Sequence, residues 1–448
     1  MDGEALARAA IHKLRAAGHQ AYLVGGCVRD LLLGCTPKDF DVATDARPDR
    51  IMDLFPNSGR VGAQFGVVLV RDFASQVEIA TFRSDREYED GRRPTTVHFE
   101  SDPRADVLRR DFTINGLMLD PDNGEVLDSV GGRADLERRL VRAIGDPEER
   151  FQEDHLRLLR AVRFAARLNF AIETDTFAAM RRLHGSIRRV SAERIRDELV
   201  RILTEGGARY GFELLDASDM LADLLPEVAA MKGVEQPPQY HPEGDVWVHT
   251  LLLLEKLNRP TPTLAIGALL HDVGKPPTFK VAERIRFDGH VEEGVQLAHG
   301  ILTRMRFSRD DTEQVEALVA NHMRFKDVDH MKESTLKRFL RLPRFEEHLE
   351  LHRLDCLASH GNLENYELVR RKLEEMPAEE LKPERLVTGS DLIEAGYAPG
   401  PRFSEILTAV EDAQLEGQLS TKEEAMAWVR TRFPLGGERD SDTLDVWN

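Results

Sequence analysis

The sequence predicts an α+β chain, with a mixed sheet in its first third and an all-helical remainder. Short β-type runs bounded by Gly, Asp and Pro fill the chain up to about residue 145: "AYLVGG", "FDVAT", "FGVVLVRDF", "QVEIATFRS" and "GEVLDSV". Beyond Glu148 these signals fade, and helical periodicity with arginine-rich polar faces takes over. At 448 residues the chain is too long for one small core, so several domains are expected.

Taken in order, "MDGEALARAAIHKLRAAGHQ" reads as an amphipathic helix with no secretory signal pattern. "NSGRVGAQFG" and "SDREYEDGRRPTTVHFE" read as loops of the sheet region. "EVAAMKGVEQPPQYHPEGD" is a Pro/Gly-rich break between two helical regions, and "MPAEELKPERLVTGSD" is a second, before a C-terminal helical piece. No apolar run approaches the roughly 20 residues that span a bilayer, so no membrane partner is expected. Cys27, Cys35 and Cys356 form neither a disulfide framework nor a zinc spacing, which suits a cytoplasmic protein.

A net charge of −18 argues against a protein that coats nucleic acid indiscriminately. The charge is uneven. Arg133 to Arg209 holds 17 arginines against 13 acidic residues, whereas Pro401 to Asn448 holds 5 basic against 10 acidic. This leaves an arginine-rich middle inside an acidic protein, and the net charge does not exclude a local basic face.

The first constellation is "LVGGCVRDLLLGCTPKDFDV". Residues i and i+2 of a strand share a face, so Asp39 and Asp41 would present adjacent carboxylates. Like charges held that close repel unless a cation neutralises them, and Mg²⁺ prefers such oxygen ligands. Glu78 in "QVEIATFR" offers a third carboxylate. Gly25 and Gly26 let backbone N–H groups approach an anion, at a helix expected from near Val28. Arg29 lies in its first turn, able to bind phosphate oxygens. Taken separately, the glycines could be a plain strand-to-helix turn and the aspartates a solvated loop; together they favour nucleotidyl transfer. A Walker-type ATP site is not supported, since Gly274-Lys275 is followed by Pro276 and lacks the upstream glycine.

The second constellation runs from "LRRDFTINGLMLD" through "DSVGGRADLERRLVRAIGDP" to "ERFQEDHLRLLRAVRFAARL". In the last segment Phe151, Leu158, Leu159, Val162 and Ala166 mark one helical face, and Arg157, Arg160 and Arg163 recur every three residues. A solvated charged face is the ordinary account. Asp154 and Arg157, however, make an i, i+3 pair in which one side chain accepts and the other donates, as a nucleic-acid template does to a base edge.

The ordered set GG-x-VRD, K-D-x-D, RRDFTIN, D-x-x-GG-x-x-D-L, E-D-x-x-R-x-x-R and "SAERIRDEL" resembles the class II tRNA nucleotidyltransferases, the family of CCA-adding enzymes and bacterial poly(A) polymerases. The resemblance covers about residues 20 to 205. It implies a polymerase-β-like nucleotidyltransferase head, with Gly26 and Arg29 on the triphosphate and Asp39 and Asp41 on Mg²⁺. It implies Arg110 on the nucleotide, Asp111 near the ribose, and Asp154 with Arg157 as an amino-acid template for CTP or ATP, in a pocket completed by Arg160 and Arg163. Gly116 departs from the family, which usually has Ala there. The segment "RSDREYEDGRRPTTVHF" resembles the loop associated with switching from C to A addition, favouring A-competence.

The third constellation lies in "HPEGDVWVHTLLLLEKL", "AIGALLHDVGKPPTF", "FDGHVEEG", "VANHMRF" and "HRLDCLASHG". His249, His271, Asp272 and Asp355 supply two imidazoles and two carboxylates, and His290 and His322 could complete a second metal position. The order H…HD…D resembles the HD phosphohydrolases, implying a divalent transition metal whose bound water attacks a phosphate ester. The expected organisation is a head over 1–147, an all-α neck over 148–227 with nucleotide-base and RNA-binding elements, an HD domain over 228–375 and a helical tail over 376–448. The arginine-rich neck is the expected tRNA-facing surface, through phosphate contacts that weaken with salt. The expected activity is template-independent transfer of CMP and AMP from CTP and ATP to the 3′ end of tRNA. Addition of A alone, of CC alone or of a poly(A) tail shares the same motifs. An HD hydrolase with a degenerate head and a non-catalytic RNA-binding protein are the alternatives of other classes.

Overall fold

The computed structural model describes residues 2–60, 66–72, 75–88, 94–239, 241–242 and 244–435. The chain divides into two compact units, Met1–Thr312 and Glu313–Asn448. The first opens on the helix Gly3–Ala16, N-capped by Asp2, whose side chain accepts from Ala5 N at 2.8 Å. Its Leu6, Ala7, Ala10, Ile11 and Leu14 are buried, the three-and-four spacing of an amphipathic helix against a sheet.

That sheet has the strands β1 (Ala21–Val24), β2 (Asp41–Thr44), β3 (Ser58–Arg60), β4 (Val67–Asp72) and β5 (Ser75–Thr81), while β6 (Arg83–Tyr88) and β7 (Pro94–Phe99) form a separate hairpin. After them, β8 (Leu117–Leu119) and β9 (Val126–Asp128) complete a seven-stranded order β3-β4-β5-β2-β1-β8-β9. Only β2 and β5 pair in parallel within it, so the sheet is mixed as expected. Leu23, Val42 and Ile79, all fully buried, form its core face.

Four strands differ from the sequence reading. β3 and β8 are three residues long and lie in stretches read for other features, β3 in the loop "NSGRVGAQFG" and β8 in the charged motif "LRRDFTINGLMLD". The β6–β7 hairpin stands where a loop is expected: β6 is nearly all polar, and the apolar Val97 and Phe99 of β7 are too few to mark a strand. Residues 89–93 of the segment resembling the C-to-A switching loop lie outside the described residues.

The helical part of the first unit includes Pro147–Glu153, Arg157–Leu168, Ala192–Thr204, Val246–Glu255 and Pro262–Leu270. It is not free of strands: Leu140–Val141 pairs with Ala171–Ile172, and Lys280–Val281 with Ile285–Arg286. The helix read through Phe151 to Ala166 is two helices. Asp154 leaves helical geometry at φ −143 and ψ 105, and its carboxylate accepts from Leu156 N at 3.1 Å.

The second unit packs one apolar cluster around Phe325, Phe339 and Phe345 and another around Leu392, Ile406 and Val429. Lys337 Nζ, donating to Leu415 O at 2.9 Å, joins elements of the two. The break at "MPAEELKPERLVTGSD" holds one helical turn, Ala378–Leu381, before a capping box of Thr388 and Asp391 starts the next helix. Among the described residues, no helix is long and apolar enough to cross a membrane.

Candidate active site

β1 delivers the chain to Gly25, whose φ of 75 is left-handed. A Cβ here would stand 3.2 Å from Arg110 Nη1 and 3.9 Å from Asp41 Oδ2, so two charged groups crowd the space a side chain would take. The helix Gly26–Leu32 follows at once, two residues earlier than expected. Arg29 on it is 2% exposed. It donates to Asp30 Oδ1 at 2.8 Å and to Asn115 Oδ1 at 2.7 Å, and its guanidinium lies 5.2 Å from the Phe164 ring centre. Burial lowers its pKa, with Asp30 opposing.

Asp41 begins β2 and sits opposite Glu78 on the parallel strand β5. Burial, reinforced by Glu78 and Asp39 and opposed by Arg110, raises its carboxyl to about 6. Asp39 corrects the strand argument: it precedes β2 and is exposed, so strand alternation does not set its place near Asp41. Glu78 is exposed too.

The helix Pro103–Leu108 places buried Asp106 beneath two arginines, at 2.6 Å from Arg109 Nη2 and 2.9 Å from Arg110 Nη2. Arg110 keeps its charge: burial would lower its pKa, but Asp106, Asp111 and Asp41 raise it. Burial alone would raise Asp111, yet Arg160, Asn115 and Arg157 hold its carboxyl well below the usual range. Arg160 delivers Nε and Nη2 to the same Asp111 oxygen, at 2.8 and 2.5 Å.

Asp154 and Arg157 are both at the cavity wall, but they are not bonded to each other through their side chains. The helix break separates them. Asp154 Oδ2 accepts from Arg194 at 2.9 Å, while Arg157 donates to Glu153, to Arg150 O and to Arg109 O at 2.5, 2.9 and 3.0 Å. Arg163 points elsewhere: its guanidinium is buried against Glu198 at 2.6 Å and Glu205 at 3.4 Å, and it does not line the cavity. The cavity has about 450 Å³, enough for a nucleotide, and seven arginines and three aspartates line it. Its excess of positive charge suits a polyanion, with Asp41 the one lining aspartate not held by a direct arginine bond among those described.

Residues 21–142 match the Poly A polymerase head domain, 169–232 the family described as "Probable RNA and SrmB- binding site of polymerase A", and 293–429 a second-domain family of tRNA nucleotidyltransferases. A CCA-adding enzyme of Streptococcus pneumoniae is 31% identical over 423 residues, covering 94% of this chain and 96% of the relative. The chain belongs to the CCA-adding enzyme family. A CCA-adding enzyme of Levilactobacillus brevis is 33% identical over the same share of each chain. The crystal structure of Bacillus stearothermophilus CCA-adding enzyme in complex with CTP superposes with a TM-score of 0.74 at 28% identity, covering 95% of this chain and 96% of that one. The Thermotoga maritima CCA-adding enzyme complexed with tRNA shares the fold, with a TM-score of 0.57 at 20% identity.

Against that family, the sequence reading overlooked Asn115, Phe164, Arg167 and Arg194, all of which line the cavity. Phe164 and Arg167 lie four and seven residues after Arg160, one helical face, so spacing could have found them. Arg194 arrives from the distant helix Ala192–Thr204, which no local pattern reveals.

The histidine constellation of the first unit is compact. His249 Nε2 lies 3.3 Å from His271 Nε2, and Asp272 Oδ2 lies 3.2 Å from His271 Nε2 and 4.0 Å from His249 Nε2. All three side chains are buried, and burial lowers the pKa of nearby His290, with Asp272 opposing. Lys275 Nζ meets Asp272 at 2.6 Å, and His241, absent from the sequence reading, packs 5.0 Å from the His249 ring centre. His322 and Asp355 belong to the second unit, His322 buried with Nδ1 2.7 Å from Val319 O and Asp355 on the helix Phe345–Ala358.

Proposed function

We propose that this chain completes the 3′ end of tRNA, adding C, C and A from CTP and ATP without a nucleic-acid template. One observation carries the reading: a single cavity joins the carboxylate of Asp41 to a wall of arginines and to the Asp154 and Arg157 edge. Cytosine and adenine share an amino group beside an unprotonated ring nitrogen; uracil and guanine present the reverse. Asp154 accepts and Arg157 donates, so this edge suits the first pair and opposes the second. Arg157 has three N–H groups engaged by protein, leaving others for the base.

Gly25, Gly26, Arg29 and Arg110 hold the triphosphate, Asp111 orients the ribose side, and Arg160 fixes Asp111. The terminal ribose hydroxyl of tRNA attacks the α-phosphorus, a new P–O bond forms, and pyrophosphate leaves. Arginines already held by carboxylates meet the developing charge with little rearrangement. Members of this enzyme class use a divalent cation, and the residues fit Mg²⁺: a half-buried carboxylate raised to about 6, with Asp39 and Glu78 acting on it, gains from a cation among them. Bound there, Mg²⁺ supplies hydroxyl activation and neutralisation of the triphosphate. The head over 1–147 and the arginine-rich neck over 148–227 form the catalytic part. Free Cys27, Cys35 and Cys356 suit a reducing cytoplasm.

The test is incorporation on three tRNA transcripts ending before CCA, after C and after CC, with CTP and ATP given separately and together. Completion of all three supports the proposal. Extension of the CC-ended transcript alone, by one A, makes the enzyme A-adding; stopping at CC makes it CC-adding, and long A tails make it a poly(A) polymerase.

A second reading concerns His249, His271 and Asp272, whose close, buried arrangement favours a metal-dependent phosphohydrolase acting on a cyclic or terminal phosphate. His290 stands beside them, while His322 and Asp355 enter through the sequence pattern alone. Release of phosphate or opening of a 2′,3′-cyclic nucleotide, dependent on an added transition metal and lost in His271→Ala, checks it.

A further inference from the structure

Six polar side chains form an unbroken line along the cavity. Arg160 donates to Asp111 Oδ2, and Asp111 Oδ1 accepts from Asn115 Nδ2 at 3.1 Å. Asn115 Oδ1 accepts from Arg29 Nη1 at 2.7 Å, Arg29 Nε donates to Asp30 Oδ1 at 2.8 Å, and Asp30 Oδ2 accepts from Arg167 Nη2 at 3.0 Å. The line leaves the helix Arg157–Leu168 at Arg160, crosses the head, and returns two turns later.

Every member is charged except Asn115. It sits between an anion and a cation, and an amide is the neutral group able to donate to the first and accept from the second. Reversing the amide would set its oxygen against Asp111 and its N–H groups against Arg29, so the network fixes its orientation. Arg29, Asn115 and Asp111 are 2%, 7% and 7% exposed, so water does not replace a lost bond cheaply.

We infer that Asn115 is a positioning residue that couples base reading to alignment of the triphosphate. The inference rests on the proposed reading of the site, with Arg29 at the phosphate end and Arg160, which fixes Asp111, at the base end, one helical turn from the base-reading Arg157. A base that seats correctly leaves Arg160 and Asp111 in place, and Asn115 then holds Arg29 on the phosphates. A base that displaces Arg160 pulls on Asp111 and, through the amide, on Arg29. Discrimination against a wrong nucleotide therefore appears in kcat as well as in KM.

The experiment is addition of one nucleotide to the tRNA transcript ending after C, by the full chain and by N115A and N115D, with CTP and with UTP. For N115A, kcat with CTP should fall about 10- to 100-fold while KM moves less than about threefold, and the preference for CTP over UTP should shrink about tenfold. N115D keeps the shape if N115A does not fold. Its carboxylate repels Asp111 at neutral pH but, once protonated, can again donate to it, so its rate relative to the parent should rise as pH falls. Equal loss for CTP and UTP in N115A, or a pH-independent ratio for N115D, overturns the coupling. Arg160→Ala separates the underlying reading: unchanged preference there refutes the base-end assignment, whereas a lost preference there with an intact one in N115A refutes the coupling alone.

Discussion

The nucleotide cavity and the histidine cluster of the first unit both gather buried carboxylates, against different neighbours. At the cavity, Asp111 and Asp154 in its wall and Asp106 beneath Arg109 and Arg110 are each tied to arginine, and the surplus of arginine faces the open space. In the cluster, Asp272 meets imidazoles and a single lysine. A wall of fixed guanidinium groups recognises an anion by geometry, since arginine does not lose its charge. Imidazoles that can be neutral beside a carboxylate offer electron pairs to a metal instead. Two regions of one unit thus surround their carboxylates with different groups, and Asp41, opposite Glu78, stands apart from the arginine-tied carboxylates of the cavity.

Exchange of effects between the regions is the strongest way to break that comparison. Asp41→Ala should reduce nucleotide incorporation at least about 10³-fold, while leaving any metal-dependent phosphate release unchanged. His271→Ala should do the reverse. Parallel assays of both activities on each variant check this, and joint loss in either variant would mean that the regions do not act separately.

Arg163 tests whether every arginine of the neck faces the ligand. Its partner Glu198 is buried with it, so Arg163→Ala leaves that carboxylate with the more distant Arg201, at 3.9 Å, and should cost about 3 kcal/mol in urea unfolding. Replacing both residues by apolar ones of similar size should recover most of that loss. KM for CTP should change little in the double variant; a large rise would return Arg163 to the nucleotide.

Much of this was legible in the sequence, and the limits have physical causes. Short β-type runs bounded by Gly, Asp and Pro revealed β1, β2, β4, β5 and β9, and the glycine and aspartate motifs named Gly25, Gly26 and Asp41, which the structure places at one cavity. The helix break at Asp154 stayed hidden because "EDHL" contains neither Gly nor Pro, and the interruption comes from a side chain bonding its own backbone. Arg163 looked equivalent to Arg157 and Arg160 because a period of three does not tell which arginine meets a distant glutamate. Asn115 stood inside a quoted motif, but its meaning depends on residues 4 and 86 positions away.

Proton competition sharpens the role of Asp41. Its carboxyl titrates at about 6, above its ordinary value, so the folded form holds a proton between roughly pH 4 and 6 that the unfolded chain has released. The free protein therefore loses stability as pH rises through that window, and Mg²⁺ should restore it. The Mg²⁺ concentration for half-maximal incorporation should climb about tenfold per pH unit below 6 and level off above 7. A flat dependence would remove Asp41 from the cation.

Gly116 gives the smallest effect and the finest comparison, between this chain and the alanine usual in its family. Its φ of −89 suits any residue, so backbone strain is not the reason for glycine. Space is. A Cβ would stand 2.8 Å from Val130 Cγ2 and 3.2 Å from both Ile144 Cδ1 and Val107 Cγ1. Gly116→Ala should therefore cost about 1 kcal/mol by overpacking, offset in part by the reduced freedom of the unfolded chain. Adding Val130→Ala removes the nearest of these contacts and should make the second substitution nearly neutral, a coupling that a double-mutant cycle in urea reads directly. Additive losses would mean that the clash lies with Ile144 and Val107, and that the glycine was kept for the packing of the sheet against the segment carrying Asp111 and Asn115.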